Sequence, residues 1–520
     1  MESVDQSPGR RIPLTHIAAA DGRLSFAIST AQISYAGEWM DNEERWHGVF
    51  TQAGTRFPLT LVRGLPAPRP VVKGMDGVWE GVVTRNGVGL RLRLRIGTSA
   101  RGTIVTFDAP DLGVSGVPVA GFSRKGQDVG FTVPVSGARF MGAQSHDRER
   151  LSGNWTLPGQ PDAPVTFVRA NARSAREIGP RPQTPRGPFP YLVEEISFAN
   201  PGAPGVTLAG TLTLPQGKGP FPAAVLISGS GPHDRDATLF GHRPFAVMAD
   251  HLTRAGVAVL RYDDRGVGGS TGEHAAATSA DFATDAQAAV RYLITRPEID
   301  SRGVGLIGHS EGGMIAPIAA VDDETVAFIV SLAGPGTNLI QLLQSQRRLT
   351  GLALGVSEEE LTRAAPLLAD VFAGIASASS TADAQRRVRA MLTPAALEIL
   401  GTPEAAKEML VQQIATEWFR YFMQYDPAVV FSRIAVPVLA INGSLDRQVP
   451  ADENLAAIAA ALAHNPNVTI RKLEGLNHLF QRATTGALGE YADLAETISP
   501  AALRLVSEWI LARFGRNGRA

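Results

Sequence analysis

Short runs that alternate apolar and polar residues recur through the first third of the chain, as in Leu24–Ile28, Leu90–Ile96 and Pro164–Val168, with Gly, Asp and Asn between them. A period of two puts every second side chain on one buried face, so these runs predict strands. Helical periodicity is nearly absent here, and four of the six Trp (Trp39, Trp46, Trp79, Trp155) fall within it. Residues 1–172 are therefore expected to form an all-β N-terminal domain. Residues 173–190, RSAREIGPRPQTPRGPFP, read as an extended Pro/Arg-rich linker. Beyond it the pattern changes. Candidate strands at Leu192–Phe198, Thr207–Leu214, Ala223–Ile227, Val257–Tyr262, Val304–Ile307, Ala327–Leu332, Pro437–Ile441 and Thr469–Leu473 are interspersed with amphipathic helices such as Asp281–Leu293 and Leu455–Ala463. Two opening strands followed by strand–helix alternation predict a mixed, mostly parallel α/β sheet. Between Leu332 and Pro437 the spacing is helical, as in Asn338–Leu352, Ser357–Ala373 and Glu404–Tyr425. A compact domain does not carry that length as a loop, which predicts an inserted helical cap. The expected organisation is 1–172 β domain, 173–190 linker, 191–335 first part of the α/β core, 336–432 cap and 433–520 second part of the core.

The β region carries an internal repeat. Ile12-Pro-Leu14 matches Val117-Pro-Val119, Leu24-Ser-Phe26 matches Val129-Gly-Phe131, Tyr35-Ala-Gly37 matches Phe140-Met-Gly142, and Gly48 matches Gly153. Phe57-Pro-Leu-Thr-Leu-Val-Arg63 then matches Ala163-Pro-Val-Thr-Phe-Val-Arg169. A steady offset over such a length is the mark of a duplicated unit. The second copy is preceded by Gly77-Val-Trp79-Glu-Gly81 and the Arg-rich run Leu90–Ile96, for which the first copy has no counterpart. The expectation is that the chain starts inside its first repeat, the missing part including a signal peptide. The alternative is an asymmetric barrel that began as half a repeat. The genomic sequence upstream of Met1 separates the two.

Composition narrows the function. Lys+Arg total 49 and Asp+Glu 50, for a net charge of -1, so there is no broad basic field for nucleic acid or an anionic membrane. The absence of cysteine excludes disulfides, thiolate catalysis and Cys-based metal sites. No apolar run is long enough to predict a transmembrane helix, and no signal peptide is visible at MESVDQSPGRRIPLTH. The chain as given reads as cytoplasmic, and as periplasmic or secreted if an upstream signal peptide has been removed. No clustering of Glu and His suggests a metal site.

Two segments match G-x-S-x-G, Gly268-Gly-Ser270-Thr-Gly272 and Gly308-His-Ser310-Glu-Gly312. A nucleophile on such a turn needs a strand before it and a helix after it, so that the hydroxyl stands above the sheet edge. Val304–Ile307 and Gly313–Ala320 supply both for Ser310, whereas Ser270 follows a long loop. Ser310 is thus the candidate nucleophile and Ser270 part of a Gly-rich loop. A Ser hydroxyl needs a base. His464 closes a helix, where an imidazole commonly meets carbonyls. His478 sits in a loop after the strand Thr469–Leu473 and is the candidate base. Asp446, just past the strand Pro437–Ile441, is the candidate acid that holds the imidazole; Asp452 opens the next helix and reads as a cap. An oxyanion needs two backbone donors. Glu311 N–H is one. Ser230 N–H, in the loop Ser228-Gly-Ser-Gly-Pro232, is assigned as the other, with the N–H groups of Gly229 and Gly231 or a plain turn as the alternatives. Its neighbours Gly229 and Gly231, with His233 and His309, are candidate substrate-binding residues. His233-Asp-Arg-Asp236 lines the pocket or forms a salt-bridged loop, and Asp264-Arg-Gly266 reads as structural.

Taken in order, Ser228–Asp236, Tyr262-Asp-Asp-Arg-Gly-Val-Gly-Gly-Ser270, Gly308–Gly312, Gly443-Ser-Leu-Asp446 and Asn477-His478 resemble bacterial α/β-hydrolase serine esterases of the EstD type, some of which carry an extra N-terminal β domain. The resemblance covers roughly 191–520. It implies an α/β-hydrolase fold with a cap, carboxylesterase activity on short acyl esters, no cofactor, and the roles of nucleophile, acid and base for Ser310, Asp446 and His478. The oxyanion loop departs from many of these enzymes in starting Ser228-Gly rather than His-Gly. A small-molecule ester is the expected partner. The competing readings are a serine peptidase, thioesterase or lactonase on the same triad, or a lipid- or glycan-binding β domain beside an inert hydrolase fold. The β domain has three candidate roles: shading the active site, making a homo-oligomer, or anchoring the enzyme.

Overall fold

The computed structural model describes residue 14 and residues 16–515, except 29–32, 41–43, 53–54, 63–68, 100–101, 113, 135, 159, 171–180 and 322. The repeat motif at Ile12-Pro13, its end at Arg63 and the start of the expected linker lie outside the described residues.

Strands His16–Ala20, Arg23–Ile28, Ile33–Met40, Arg45–Gln52 and Thr55–Val62 form a five-stranded antiparallel meander. Strands Ala120–Lys125, Asp128–Val133, Ala138–Gln144, Arg150–Thr156 and Ala163–Arg169 repeat it. The register coincides in the two copies: Gly37 lies opposite Gly48, and Gly142 opposite Gly153. In each copy the aromatic ring two residues before the first glycine, Tyr35 or Phe140, covers the pair. A methyl at Gly142 would sit 2.6 Å from the Phe140 ring and 2.4 Å from the Ser152 carbonyl. The pair must therefore be glycine, and the ring fills the space it leaves.

Strands Gly77–Arg85, Val88–Ser99, Gly102–Ala109 and Val114–Pro118 extend the second copy into a nine-stranded sheet. Its two end strands are halves of one segment bent at Val119. The half Val114–Pro118 pairs with Gly102–Ala109, and the half Ala120–Lys125 pairs with Asp128–Val133. Chain continuity thus brings the ends of the sheet together, and it closes as a barrel around Trp79, Phe107, Phe131, Phe140, Trp155 and Phe167. The Arg-rich run now has a cause. Leu92, Leu94 and Ile96 point into this core, while Arg93 and Arg95 on the opposite face pair with Glu80 and Asp108.

The α/β region holds an eight-stranded sheet in the order Leu192–Ala199, Thr207–Leu214, Ala258–Tyr262, Phe221–Ile227, Ile299–His309, Ile329–Leu332, Val438–Gly443, Val468–Leu473. Thr207–Leu214 is antiparallel to both its neighbours, and the other pairs are parallel. The central strands are continuously apolar because both faces are covered. Ala223, Val225 and Ile227 pack towards helices Ser279–Ile294, Gly312–Ala320 and Ala451–Ala461, while Ala224 and Leu226 pack towards Pro244–Ala255 and Pro500–Phe514. The strand Phe221–Ile227 is followed by a helix on one face. The adjacent strand Ile299–His309 is followed by a helix on the other. The loops after these two strands diverge and leave a crevice at their carboxyl ends.

Between Ile329–Leu332 and Val438–Gly443 the chain is helical: Leu339–Ala353, Glu358–Ala376, Thr381–Met391, Pro394–Ile399, Lys407–Ile414, Glu417–Gln424 and Pro427–Phe431. The helix expected over 404–425 is broken near Thr416, whose hydroxyl accepts the Phe419 N–H and starts a new helix there. The β region docks on both other parts. At the turn of the hairpin 77–99, Arg85 pairs with Glu360 at 2.7 Å and the Asn86 amide donates to the Gly355 carbonyl at 2.7 Å, both on the helical insertion. Arg91 bridges Asp111 of the barrel to Asp493 and to the Gly489 carbonyl of the α/β region. The described part of the expected linker, 181–190, is not a free spacer. The buried Arg181 donates to the carbonyls of Phe240, Ala492 and Leu494, and the Gln183 side chain bonds the backbone at Thr497 and Ile498. No helix among the described residues is long and apolar enough to cross a membrane.

Candidate active site

The strand Ile299–His309 ends at the crevice, and the backbone reverses at Ser310 with φ +55°. A side chain in this left-handed region is strained and is held by its surroundings. Here the hold is close packing: a methyl at Gly308 would lie 1.9 Å from the Gly312 carbonyl, and one at Gly312 would lie 2.3 Å from the Ile227 carbonyl. Only glycines at both positions let helix Gly312–Ala320 start directly behind the turn. The hydroxyl is thereby raised into a cavity of about 400 Å³ lined also by Gly229, Ser230, His233, His309, Glu311 and His478.

Asp446 and His478 arrive on loops after the strands Val438–Gly443 and Val468–Leu473, and both are almost fully buried. Asp446 Oδ2 lies 2.7 Å from His478 Nδ1. Its other oxygen accepts the N–H groups of Gln448 and Val449, each at 2.8 Å, so the carboxylate cannot turn. The His478 loop is set by the buried Asn477, whose side-chain Oδ1 accepts the N–H groups of Leu479 and Gln481. The His309 ring lies 4.8 Å from the His478 ring, centre to centre, and its Nε2 pairs with the His478 carbonyl at 2.9 Å. Burial, and next the neighbouring His478, push His309 down to about 3, so it is neutral and serves as a wall of the cavity.

The loop Ser228–Pro232 faces Ser310. Gly229 is its closest point, with space for a Cβ only 3.1 Å from Ser310 Cβ. The backbone N–H groups of Ser230 and Glu311 donate to no other described group. Gly231, expected among the substrate-binding residues, does not line the cavity; with φ +99° it makes the turn that returns the chain to His233. Asp264 holds both ends of the loop. It accepts the Ser228 hydroxyl at 2.7 Å and the His233 N–H at 2.8 Å. Burial pushes this carboxyl up to about 8. A proton retained at neutral pH lets Asp264 grip the loop without a full negative charge beneath it. In the neutral form the bond to Ser228 can reverse, the carboxyl donating to Ser228 Oγ while still accepting from His233 N–H, an arrangement that an amide can also make. Asp264→Asn is therefore expected to keep kcat within a few-fold, and Asp264→Ala, which frees the loop that faces Ser310, to lower it about 10²-fold. Equal losses in the two variants would mean an ionised carboxylate instead.

The remaining candidates separate cleanly. Ser270 Oγ donates to the Asp263 carbonyl within its loop. His464 Nε2 pairs with the Ile434 carbonyl. Asp452 lies in the first turn of helix Ala451–Ala461 and pairs with Lys472 rather than capping the helix, whose N-cap is Pro450. Of His233–Asp236, His233 lines the cavity, Arg235 pairs with Asp263 and Glu195, and Asp236 pairs with Arg261. Arg265, after Asp264, makes a buried pair with Asp285 at 2.7 Å.

Residue spacing did not reveal the insertion's contribution. Trp418, Phe419 and Phe422 of helix Glu417–Gln424 and Leu342 of helix Leu339–Ala353 line the cavity. Trp418 Nε1 donates at 2.8 Å to the buried Glu311 carboxyl, which also takes the Ser279 hydroxyl at 2.6 Å, and burial raises the pKa of that carboxyl. The one available signal was the aromatic run Trp418-Phe419 with Tyr421-Phe422, which helical spacing alone reads as core.

Residues 224–488 match the alpha/beta hydrolase family. The chain belongs to that family. This α/β-hydrolase is 28% identical to Esterase EstD of Thermotoga maritima over 292 residues, covering 56% of this chain and 62% of the relative. It is 28% identical to acyl-coenzyme A thioesterase 5 of Mus musculus over 179 residues, 33% of this chain and 39% of the relative. The chain thus spans less than two thirds of the length of either. Among solved structures it is similar to the Pyrococcus furiosus esterase Pf2001, with a TM-score of 0.38 and 18% identity, over 62% of this chain and 93% of that one.

Proposed function

We propose that this α/β-hydrolase is a serine carboxylesterase acting on short-to-medium acyl esters. The observation that carries the reading is the 2.7 Å contact between His478 Nδ1 and Asp446 Oδ2, in a cavity that also holds Ser310 on its strained turn. Asp446 keeps the proton on Nδ1, so Nε2 is the atom free to take the proton of Ser310. Ser310 Oγ attacks the acyl carbon, and the N–H groups of Ser230 and Glu311 receive the oxyanion. The ester C–O bond then breaks, and His478 returns the proton to the leaving alcohol. Water repeats the sequence on the acyl-enzyme and releases the acid. No step calls for a cofactor. The apolar wall from Trp418, Phe419, Phe422 and Leu342 suits a short-to-medium acyl chain in the available 400 Å³. A thioester would pass through the same acyl-enzyme, and the likeness to a thioesterase supports testing it beside the oxygen ester.

The test pairs turnover with labelling. p-Nitrophenyl esters from acetate to palmitate are expected to give the highest kcat/KM at the short-to-medium end. Diethyl p-nitrophenyl phosphate is expected to stop turnover with one phosphoryl group on the peptide that contains Ser310. Inactivation with the label elsewhere, or turnover that persists with Ser310 labelled, would sink the reading.

A further inference from the structure

Beside the cavity at Ser310 lies a second one of about 240 Å³. Gln346 and Gln448 line both, so the two chambers share a wall built from two amide side chains. The second chamber sits where three parts of the molecule meet. Leu112 comes from the barrel, Leu354 from the helical insertion, and Leu488 and Tyr491 from the short helix Leu488–Tyr491 that Arg91 ties to the barrel. Most of this lining is apolar, and Arg447 is its one charged side chain among the described residues.

Arg447 is half-buried, and its Nε donates to the Thr485 carbonyl at 3.0 Å. It makes no ion pair with a described residue. The acids near it are otherwise engaged: Asp446 with His478, Asp111 with Arg91, and Glu490 with the N–H groups of Thr485 and Gly486. A guanidinium withdrawn part-way from water without a counter-ion is poised for an anion, and its planar fork suits a carboxylate.

The geometry also says which half of a substrate reaches it. Gln448 and Val449 hold one oxygen of Asp446 while the other holds His478, so the shared wall stands on the imidazole side of Ser310. The imidazole returns its proton to the leaving oxygen, which must lie on that same side. We propose that the second chamber receives the alcohol half of the ester and that Arg447 pairs with a carboxylate carried on that half. This rests on the serine-esterase reading above. The bond changes are those already described: the Ser310 Oγ–acyl bond forms, the acyl C–O bond then breaks, and the alcohol leaves with the His478 proton, its carboxylate still on Arg447. The barrel acquires a role, since Leu112 completes the chamber.

Acetate esters of ω-hydroxy acids, with two to six methylenes, test this against the matching ω-hydroxy amides, using acetate release. The scissile bond is the same and only the charge differs. At the best length the wild-type protein is expected to favour the acid in kcat/KM. Arg447→Gln is expected to cut that preference about tenfold or more, mainly through KM, and Arg447→Lys to restore part of it. Leu112→Trp, which fills the chamber from the barrel side, is expected to cut the preference as well. Turnover of both series with no preference at any length, or a preference that survives Arg447→Gln, overturns the subsite. No turnover of either series by the wild-type protein, and none of p-nitrophenyl acetate, overturns the esterase reading instead.

Discussion

Replacing Ser310 with Ala is expected to abolish ester turnover, with kcat falling about 10⁶-fold. The remaining groups can still hold an ester and stabilise an oxyanion, but no atom is left to form the acyl-enzyme, so only slow attack by water persists. The same position makes a second, opposite prediction about stability. Ser310 is a non-glycine residue at φ +55°. Such a conformation costs on the order of 1 kcal/mol or more, and glycine adopts it freely. Ser310→Gly is therefore expected to match Ser310→Ala in its loss of activity while melting at a higher temperature than the wild type. Thermal unfolding followed beside turnover checks both halves. Substantial turnover in either variant would remove Ser310 from the role of nucleophile, and a lower melting temperature for Ser310→Gly would mean the turn carries no strain.

Asp446→Asn is expected to lower kcat about 10⁴-fold with little change in fold, the loss typical of a triad held in the wrong tautomer. The reason lies in the second oxygen of Asp446. It accepts two backbone N–H groups, from Gln448 and Val449. An amide at this position must keep its oxygen on those two donors and turn its NH₂ towards His478 Nδ1. Nδ1 then becomes an acceptor, the ring proton moves to Nε2, and the nitrogen facing Ser310 can no longer take a proton. The pH profile separates this from mere loss of a charge: activity is expected to recover partly at high pH, where the Ser310 hydroxyl itself ionises more readily. A variant within tenfold of wild type at neutral pH would show that Asp446 does not set the tautomer.

The core strands as segments, the mixed and mostly parallel character of their sheet and the strand–turn–helix at Ser310 were legible because each rests on local periodicity or on a short motif; the order in which the strands lie, with Ala258–Tyr262 between Thr207–Leu214 and Phe221–Ile227, was not. A buried strand beside Gly308 and a small-residue helix after it distinguish Ser310 from Ser270 without any knowledge of the fold. The repeat in the β region was legible for the same reason, and even the Gly37–Gly48 and Gly142–Gly153 pairings lay in matching letters. Other features depend on residues far apart in the chain. Asp264 reads as one acid in a structural turn until the Ser228–His233 loop is folded across it. Trp418 reads as core until helix Glu417–Gln424 is laid over Glu311. Arg447 looks like any surface arginine beside Asp446. The helix break at Thr416 was hidden because apolar spacing continues through it, and only the hydroxyl cap on Phe419 N–H ends one helix and begins the next.

By itself the sequence determined most of the strands and helices of the α/β region and which residue types could perform acyl chemistry, since both follow from hydrophobic period and from side-chain chemistry within a few residues. Tertiary structure alone decided where the sheet of the β region closes, because closure hangs on one segment bent at Val119 serving two distant strands. It alone also decided that barrel, insertion and core meet around a chamber next to Ser310. Contacts such as Arg91 with Asp493 and Arg85 with Glu360 join positions hundreds of residues apart, and no local pattern records which partner a charged side chain will meet.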